Sequence, residues 1–125
     1  LFDIDHFKRI NDVHGHLAGD FVLKELARVV QARIRRDEVF ARYGGEEFAI
    51  ILPETSLDGA AALGETLRQK VSEHLFVFQA DSIRVTISIG AALLQDSDRG
   101  ANDLIKRADE KLYQAKNSGR NRVCA

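Results

Sequence analysis

Residues 42–53, "RYGGEEFAIILP", set two glycines and two adjacent carboxylates directly ahead of an almost unbroken apolar run. The segments "EVFARY" and "EEFAIIL" flank Gly44-Gly45, a pair that tolerates the positive φ angles of a tight two-residue turn, so the stretch reads as a β-hairpin. In its second arm Phe48, Ile50 and Leu52 face one way and Ala49 and Ile51 the other, which predicts a strand buried on both faces at the centre of a sheet. Pro53, the only proline, stops that strand because it has no amide to give the ladder.

Working outward, "LFDI" at residues 1–4 reads as a short strand. Asp5 is placed to cap a helical turn whose apolar residues are Phe7 and Ile10, and "HGH" at 14–16 breaks it. Leu23, Leu26, Val30 and Ile34 then recur at helical spacing, predicting a helix from Leu17 to about Arg36. Downstream of the hairpin, Ala60, Leu63, Leu67 and Val71 mark another helix. "SIRVTISIGAALL" alternates Ile83, Val85, Ile87 and Ile89 against polar residues as a strand with one apolar face. Leu104, Ala108, Leu112 and Ala115 predict a third helix ending near Gly119, with "RNRVCA" left as a last strand. The order β-α-β-β-α-β with a trailing helix and strand predicts an α+β fold of the split β-α-β, ferredoxin-like type, its helices on one side of a mainly antiparallel sheet.

The whole chain, 125 residues with no repeat or low-complexity linker, suits one domain that buries its own core. A net charge of −1 with 30% charged residues gives no global field for nucleic acid or an anionic membrane, so a polyanionic ligand must be held locally. The single cysteine, Cys124, excludes an internal disulfide and fits a reducing, cytoplasmic setting. No apolar stretch approaches the roughly 20 residues of a membrane-spanning helix, although a longer protein could be tethered. The chain has no methionine and opens inside a strand, which suggests a domain cut from a longer protein.

In the predicted fold the first strand lies beside the hairpin and brings Asp3 toward Glu46 and Glu47. Three converging carboxylates repel unless a cation sits between them, and hard oxygen ligands with open positions suit Mg²⁺ bound to phosphates. Taken alone, "GGEE" reads as readily as a turn with exposed acids. Asp3, Lys8, Asn11 and Asp20, along "FDIDHFKRINDVHGHLAGD", could ring one pocket: amide and carboxylate match a guanine edge, and Lys8 offers a charge for phosphate. Lys116 and Arg120 are further phosphate candidates. The four histidines lack the pairing of metal ligands and read as structural.

The blocks "DIDHFKRINDVHGHLAGD", "RYGGEEF", "VTISIG" and "RADEKLYQAKNSGRNR" resemble, in order and over nearly the whole chain, the GGDEF family of diguanylate cyclases. That resemblance implies a polymerase-palm-like sheet and condensation of two GTP molecules into cyclic di-GMP. It implies two Mg²⁺ ions per site, with Mn²⁺ as a substitute, held by Asp3, the Ile4 carbonyl, Glu46 and Glu47. Glu46 would activate the 3′-hydroxyl, and Lys8 would bind phosphate and offset the charge that grows in the transition state. Phe7, Asn11 and Asp20 would hold guanine, and Gly44, Gly45, Lys116 and Arg120 the phosphates. Each domain of the family holds one GTP, so a second copy must face it, brought there by a sensor or receiver domain elsewhere. The family's helix before the first strand is absent.

Two positions qualify the resemblance. Where many relatives carry an inhibitory Arg-x-x-Asp, this chain has Arg35 but Glu38, with Asp37 one place early, so that site is expected to be degenerate. Asp20 is kept where makers of mixed dinucleotides have a small hydroxyl residue, which favours guanine at both sites. Besides an active cyclase, two readings stay open: a module that binds GTP or cyclic di-GMP without turnover, and a dimerisation domain with a vestigial site. A polymerase role would need a basic template channel, and none is visible.

Overall fold

The segment Phe2–Ile4 (β1) is buried at every residue, as only an inner strand covered on both faces can be. The computed structural model describes residues 1–125, and β1 is followed by α1 (Phe7–His14), α2 (His16–Gln31), β2 (Val39–Arg42), β3 (Glu47–Ile51), α3 (Leu57–Glu73), β4 (Phe76–Phe78), β5 (Asp81–Ile83), β6 (Ile87–Gly90), α4 (Ala101–Asn117) and β7 (Val123–Cys124). The main sheet runs β2-β3-β1-β6-β7, antiparallel except for the parallel β6–β7 pair. β3 and β1 are neighbours although two helices and a strand separate them in sequence, which is the split β-α-β arrangement expected. No helix is long and apolar enough to cross a membrane.

The middle strand is β1, not β3. Phe48 on β3 does enter the core, stacking on Phe2 and Phe40 with ring centroids 5.2 and 5.6 Å apart. Ile51, three pairs along and on the other face, is 61% exposed. The apolar run is therefore covered on one face and largely open on the other.

The helices do not share one side either. Ile89 faces α3, where a carbon added at Gly64 would lie 3.5 Å from its Cγ2. The next residue, Gly90, points the other way, and a carbon there would sit 2.2 Å from the Leu112 amide nitrogen of α4. So α4 lies against the opposite face, with its backbone almost on the strand. Ala108, Leu112 and Ala115 supply the buried stripe that seals this approach.

Other boundaries differ for local reasons. α2 ends at Gln31, and Arg33 and Ile34 then donate to Val30 and Gln31, a tighter turn that still packs Ile34 on the core. The break at Gly15, with φ of 93°, falls where expected. The long predicted strand after α3 is two strands in different sheets: β5 pairs with β4, a hairpin the sequence reading missed, and β6 joins the main sheet. Between them lies Thr86, to whose carbonyl the Asp5 amide donates at 2.9 Å. Asp5 does not cap α1, since the cap position is His6, with φ of 54° and no side-chain bond.

Gly90→Ala is expected to lower stability by about 3 kcal/mol through overpacking against α4, seen as a lower urea midpoint at unchanged slope. Gly45→Ala, where the added carbon meets nothing within 4 Å, should stay within about 0.5 kcal/mol. Equal midpoints for the two variants would remove the steric account.

Candidate active site

Strand register assembles the centre of the site. Asp3 pairs with Glu47 on one side and Ser88 on the other, and the Ile4 amide donates to the Glu46 carbonyl at 3.3 Å. Because Phe2, Ile4 and Phe48 point into the core, the alternating pleat turns Asp3, Glu47 and Ser88 to the α4 face. There Lys116, in the last turn of α4, donates its ammonium to Asp3 Oδ2. The Asp3 side chain is only 7% exposed.

Burial first, and then the Asp3 charge, hold the Glu46 and Glu47 carboxyls above the ordinary range, with Lys116 pulling the other way. Asp109 on α4 adds to the repulsion at Glu47. Asp3 Oδ1 is buried and has no hydrogen-bond partner. An orphaned carboxylate oxygen beside two repelling carboxyls fits a divalent cation. No three acidic, His or Cys side chains close into a ready-made cage. That arrangement matches an ion such as Mg²⁺, which keeps waters or phosphate oxygens as ligands rather than an all-protein shell.

The turn beside the glutamates is not the two-residue turn expected, and neither glycine adopts a positive φ. Four residues, 43–46, span it. The amides of Tyr43 and Gly44 donate to the Glu47 carbonyl at 2.7 and 3.0 Å, and Arg42 reaches the carbonyls of Gly44 and Gly45. A carbon at Gly44 would make only an ordinary 3.6 Å contact with Glu47 Cβ, and one at Gly45 none. The fold itself thus does not require glycine here, and what glycine provides is bare backbone at the edge of the carboxylate group.

A second group gathers where α1 meets α2. A carbon at Gly19 would lie 1.8 Å from Asn11 Oδ1 and 3.3 Å from Phe7 Cζ, so both side chains rest on this glycine, next to the exposed Asp20. Gly19 was missed in the sequence reading, and its signal was a glycine inside a helix, where it is normally unfavourable. Lys8 is exposed on α1 and forms no ion pair, and Arg120 lies partly buried just past α4. Asp5, assigned only a capping role above, is instead a buried acceptor, bonded by Thr86, Ser88 and the Asn121 amide.

Arg35 and Glu38 line a separate cavity of about 290 Å³ with Arg33, Thr55 and Thr66. Glu38 Oε1 accepts from the Arg35 amide at 2.7 Å, so the longer carboxylate is folded back onto its own turn. Another cavity, of about 430 Å³, runs between α1 and residues 83–86 and includes neither Asp3 nor the glutamates. The histidines stay outside the site: His74 stands edge-on to Phe76, and His14 lies 3.8 Å from Asp81.

The family described as diguanylate cyclase, GGDEF domain, matches residues 1–122. The chain belongs to this family. Diguanylate cyclase A of Treponema denticola is 44% identical over 98% of the chain, which spans 33% of that relative's length. Among solved structures, the active GGEEF domain of a diguanylate cyclase from Vibrio cholerae matches with a TM-score of 0.90 at 41% identity, covering 98% of this chain and 78% of that one. The GGDEF domain of DgcB from Caulobacter crescentus, in complex with c-di-GMP, matches with a TM-score of 0.95 at 37% identity, covering 99% and 74%. The GGDEF signature of this chain is Gly44-Gly45-Glu46-Glu47-Phe48.

A carboxyl whose pKa is raised by folding contributes most at low pH, and that contribution is lost as pH rises through its folded value. In metal-free protein, Glu47→Gln is expected to match the parent's Tm near about pH 4 and to exceed it near about pH 7. A gap that does not grow with pH would contradict the crowding of charge at this GGDEF site.

Proposed function

We propose that this GGDEF domain is catalytic and joins two GTP molecules into cyclic di-GMP, releasing two pyrophosphates. The observation that carries the reading is the orphaned Asp3 oxygen set beside two glutamates that Asp3 repels. The intact signature adds support, as do relatives described as diguanylate cyclases.

In each half-reaction the 3′-oxygen of one GTP bonds to the α-phosphorus of the other, and the bond from that phosphorus to the bridging oxygen of the pyrophosphate breaks. Mg²⁺, or Mn²⁺ in its place, held by Asp3, the Ile4 carbonyl, Glu46 and Glu47, would acidify the attacking hydroxyl and offset charge on the leaving pyrophosphate. Glu46 takes the hydroxyl proton. Its carboxyl is pushed upward by burial and by Asp3, toward the pH at which a base works best. Lys8, Lys116 and Arg120 bind phosphate oxygens, and the bare backbone of Gly44 and Gly45 lets the phosphates approach. Asn11 and Asp20 pair with guanine over Phe7, with Gly19 leaving the room Asn11 needs.

One domain holds one GTP, so ring closure needs a second copy across a two-fold axis. A sensor or receiver segment elsewhere in the longer protein controls that encounter. GTP supply and the free Cys124 support a cytoplasmic location. Arg35 and Glu38 form a weakened inhibitory product site.

A second reading has its own observation. Lys116 supplies Asp3 with a counter-charge from within the chain, as a module that binds GTP or cyclic di-GMP silently would tolerate. Turnover by the domain fused to a constitutive dimeriser separates the two. Cyclic di-GMP is expected from the parent, and Glu46→Gln should lower kcat by at least about 10²-fold with GTP binding kept. Binding without product in both proteins would establish the silent module. Gly19→Ala should displace Asn11 and raise KM for GTP about tenfold while changing kcat little. A fall in kcat at constant KM would place Gly19 outside substrate binding.

A further inference from the structure

Just past α4 the backbone is left-handed at three successive residues: Gly119, Arg120 and Asn121, with φ of 124°, 62° and 46°. Glycine adopts this freely and asparagine more readily than most residues, whereas the Cβ of arginine opposes it. Two such residues in a row persist only where their surroundings over-determine them, and such strain gathers at functional sites.

The bonds responsible converge on Asn121. Just past the end of β1, Asp5 Oδ2 accepts the Asn121 amide at 3.0 Å. From α3, Arg68 Nη1 donates to Asn121 Oδ1 at 2.9 Å, with the guanidinium itself steadied by Glu65 at 2.9 and 2.6 Å. Asp5 is in turn rigidly held: it is 5% exposed and takes Thr86 Oγ1 at 2.8 Å on one oxygen and Ser88 Oγ at 2.6 Å on the other. The Arg120 amide closes the turn back onto the Ala115 carbonyl at 3.0 Å. The turn therefore continues directly from the helix end whose Lys116 lies on Asp3.

We infer that Asp5 and Arg68 are positioning residues: they grip Asn121 from opposite elements and so fix the turn that presents Arg120 to the phosphate tail of a nucleoside triphosphate. The inference rests on the GTP-binding reading above and adds how the phosphate end is shaped. Neither residue touches the ligand. Their effect passes through Arg120 and is confined to phosphate recognition.

The test compares binding of 3′-deoxy-GTP, which lacks the attacking hydroxyl and is not consumed, with binding of 3′-deoxyguanosine, both with Mg²⁺ present. Asp5→Ala and Arg68→Ala should each weaken 3′-deoxy-GTP about tenfold and leave the nucleoside unchanged. Neither should weaken it further once Arg120→Ala is in place. Asp5→Asn should recover most of the affinity, because its amide oxygen can serve Thr86 and Asn121 while its NH₂ donates to the Ser88 hydroxyl. Equal weakening of both ligands, or losses that add to that of Arg120→Ala, would overturn the inference while leaving the GTP site intact. Arg68→Ala, at a partly buried position of α3, decides the matter if Asp5→Ala does not fold. A parent protein that binds neither ligand overturns the reading of the site itself, and this inference with it.

Discussion

Asp3 lies on the middle strand with one carboxylate oxygen given to Lys116 and the other to nothing. Removing a carboxylate from water is unfavourable by several kcal/mol unless partners replace the solvent. A single ammonium does part of that. The rest of the architecture follows from keeping this pair together: α4 must cross the sheet so that its last turn reaches Asp3, and α4 can come that close only because position 90 has no side chain. The hairpin must end beside β1, because the Asp3–Glu47 register brings in the second and third carboxyls. A fold optimised for stability would put an apolar residue at position 3. This one keeps a charge and arranges a helix and a hairpin around it.

The arrangement leaves the metal-free domain less stable than its core would allow. Glu46 and Glu47 are pushed toward their neutral forms by burial and by Asp3, and ionising them at neutral pH opposes folding. Any cation that binds the folded site and not the unfolded chain returns that stability by mass action. Lys116 then has two partners to choose between. Under the proposed function, an ion on Asp3 would free the ammonium for phosphate, and the observed ion pair and the phosphate role expected from the sequence would then be compatible.

The fold class was legible because it rests on periodicity. Leu23, Leu26 and Val30, or Leu63, Leu67 and Val71, announce helices whatever surrounds them, and the split β-α-β order follows from counting elements. What periodicity does not carry is coverage. The run at 48–52 alternates as a strand should, yet whether its second face is buried depends on where α4 lands, and that is set by Gly90, forty residues later. The same limit hid the β4–β5 hairpin, since a continuous alternating segment cannot show that Thr86 leaves the ladder to bond Asp5. Within the candidate site, residues that carry charge or amide groups could be nominated from type and spacing. Gly19 acts through empty volume and Asp5 through partners distant in sequence, and neither property is written in the residue itself.

Asp3 and Asp5 make the point most sharply. They are two residues apart, both are 5% exposed, and nothing in "FDIDHF" distinguishes them. Their hydrogen bonds do. Asp5 accepts from Thr86, Ser88 and Asn121, so each of its oxygens has a donor and the charge is spent within the protein. Asp3 has Lys116 alone, with one oxygen unmatched in a place where water is excluded. A satisfied buried carboxylate stiffens what surrounds it, whereas an unsatisfied one is stable only if something outside the chain completes it. Two identical side chains, one on β1 and one just past its end, thus differ: Asp5 is fully bonded within the fold, and Asp3 is left with one oxygen unmatched.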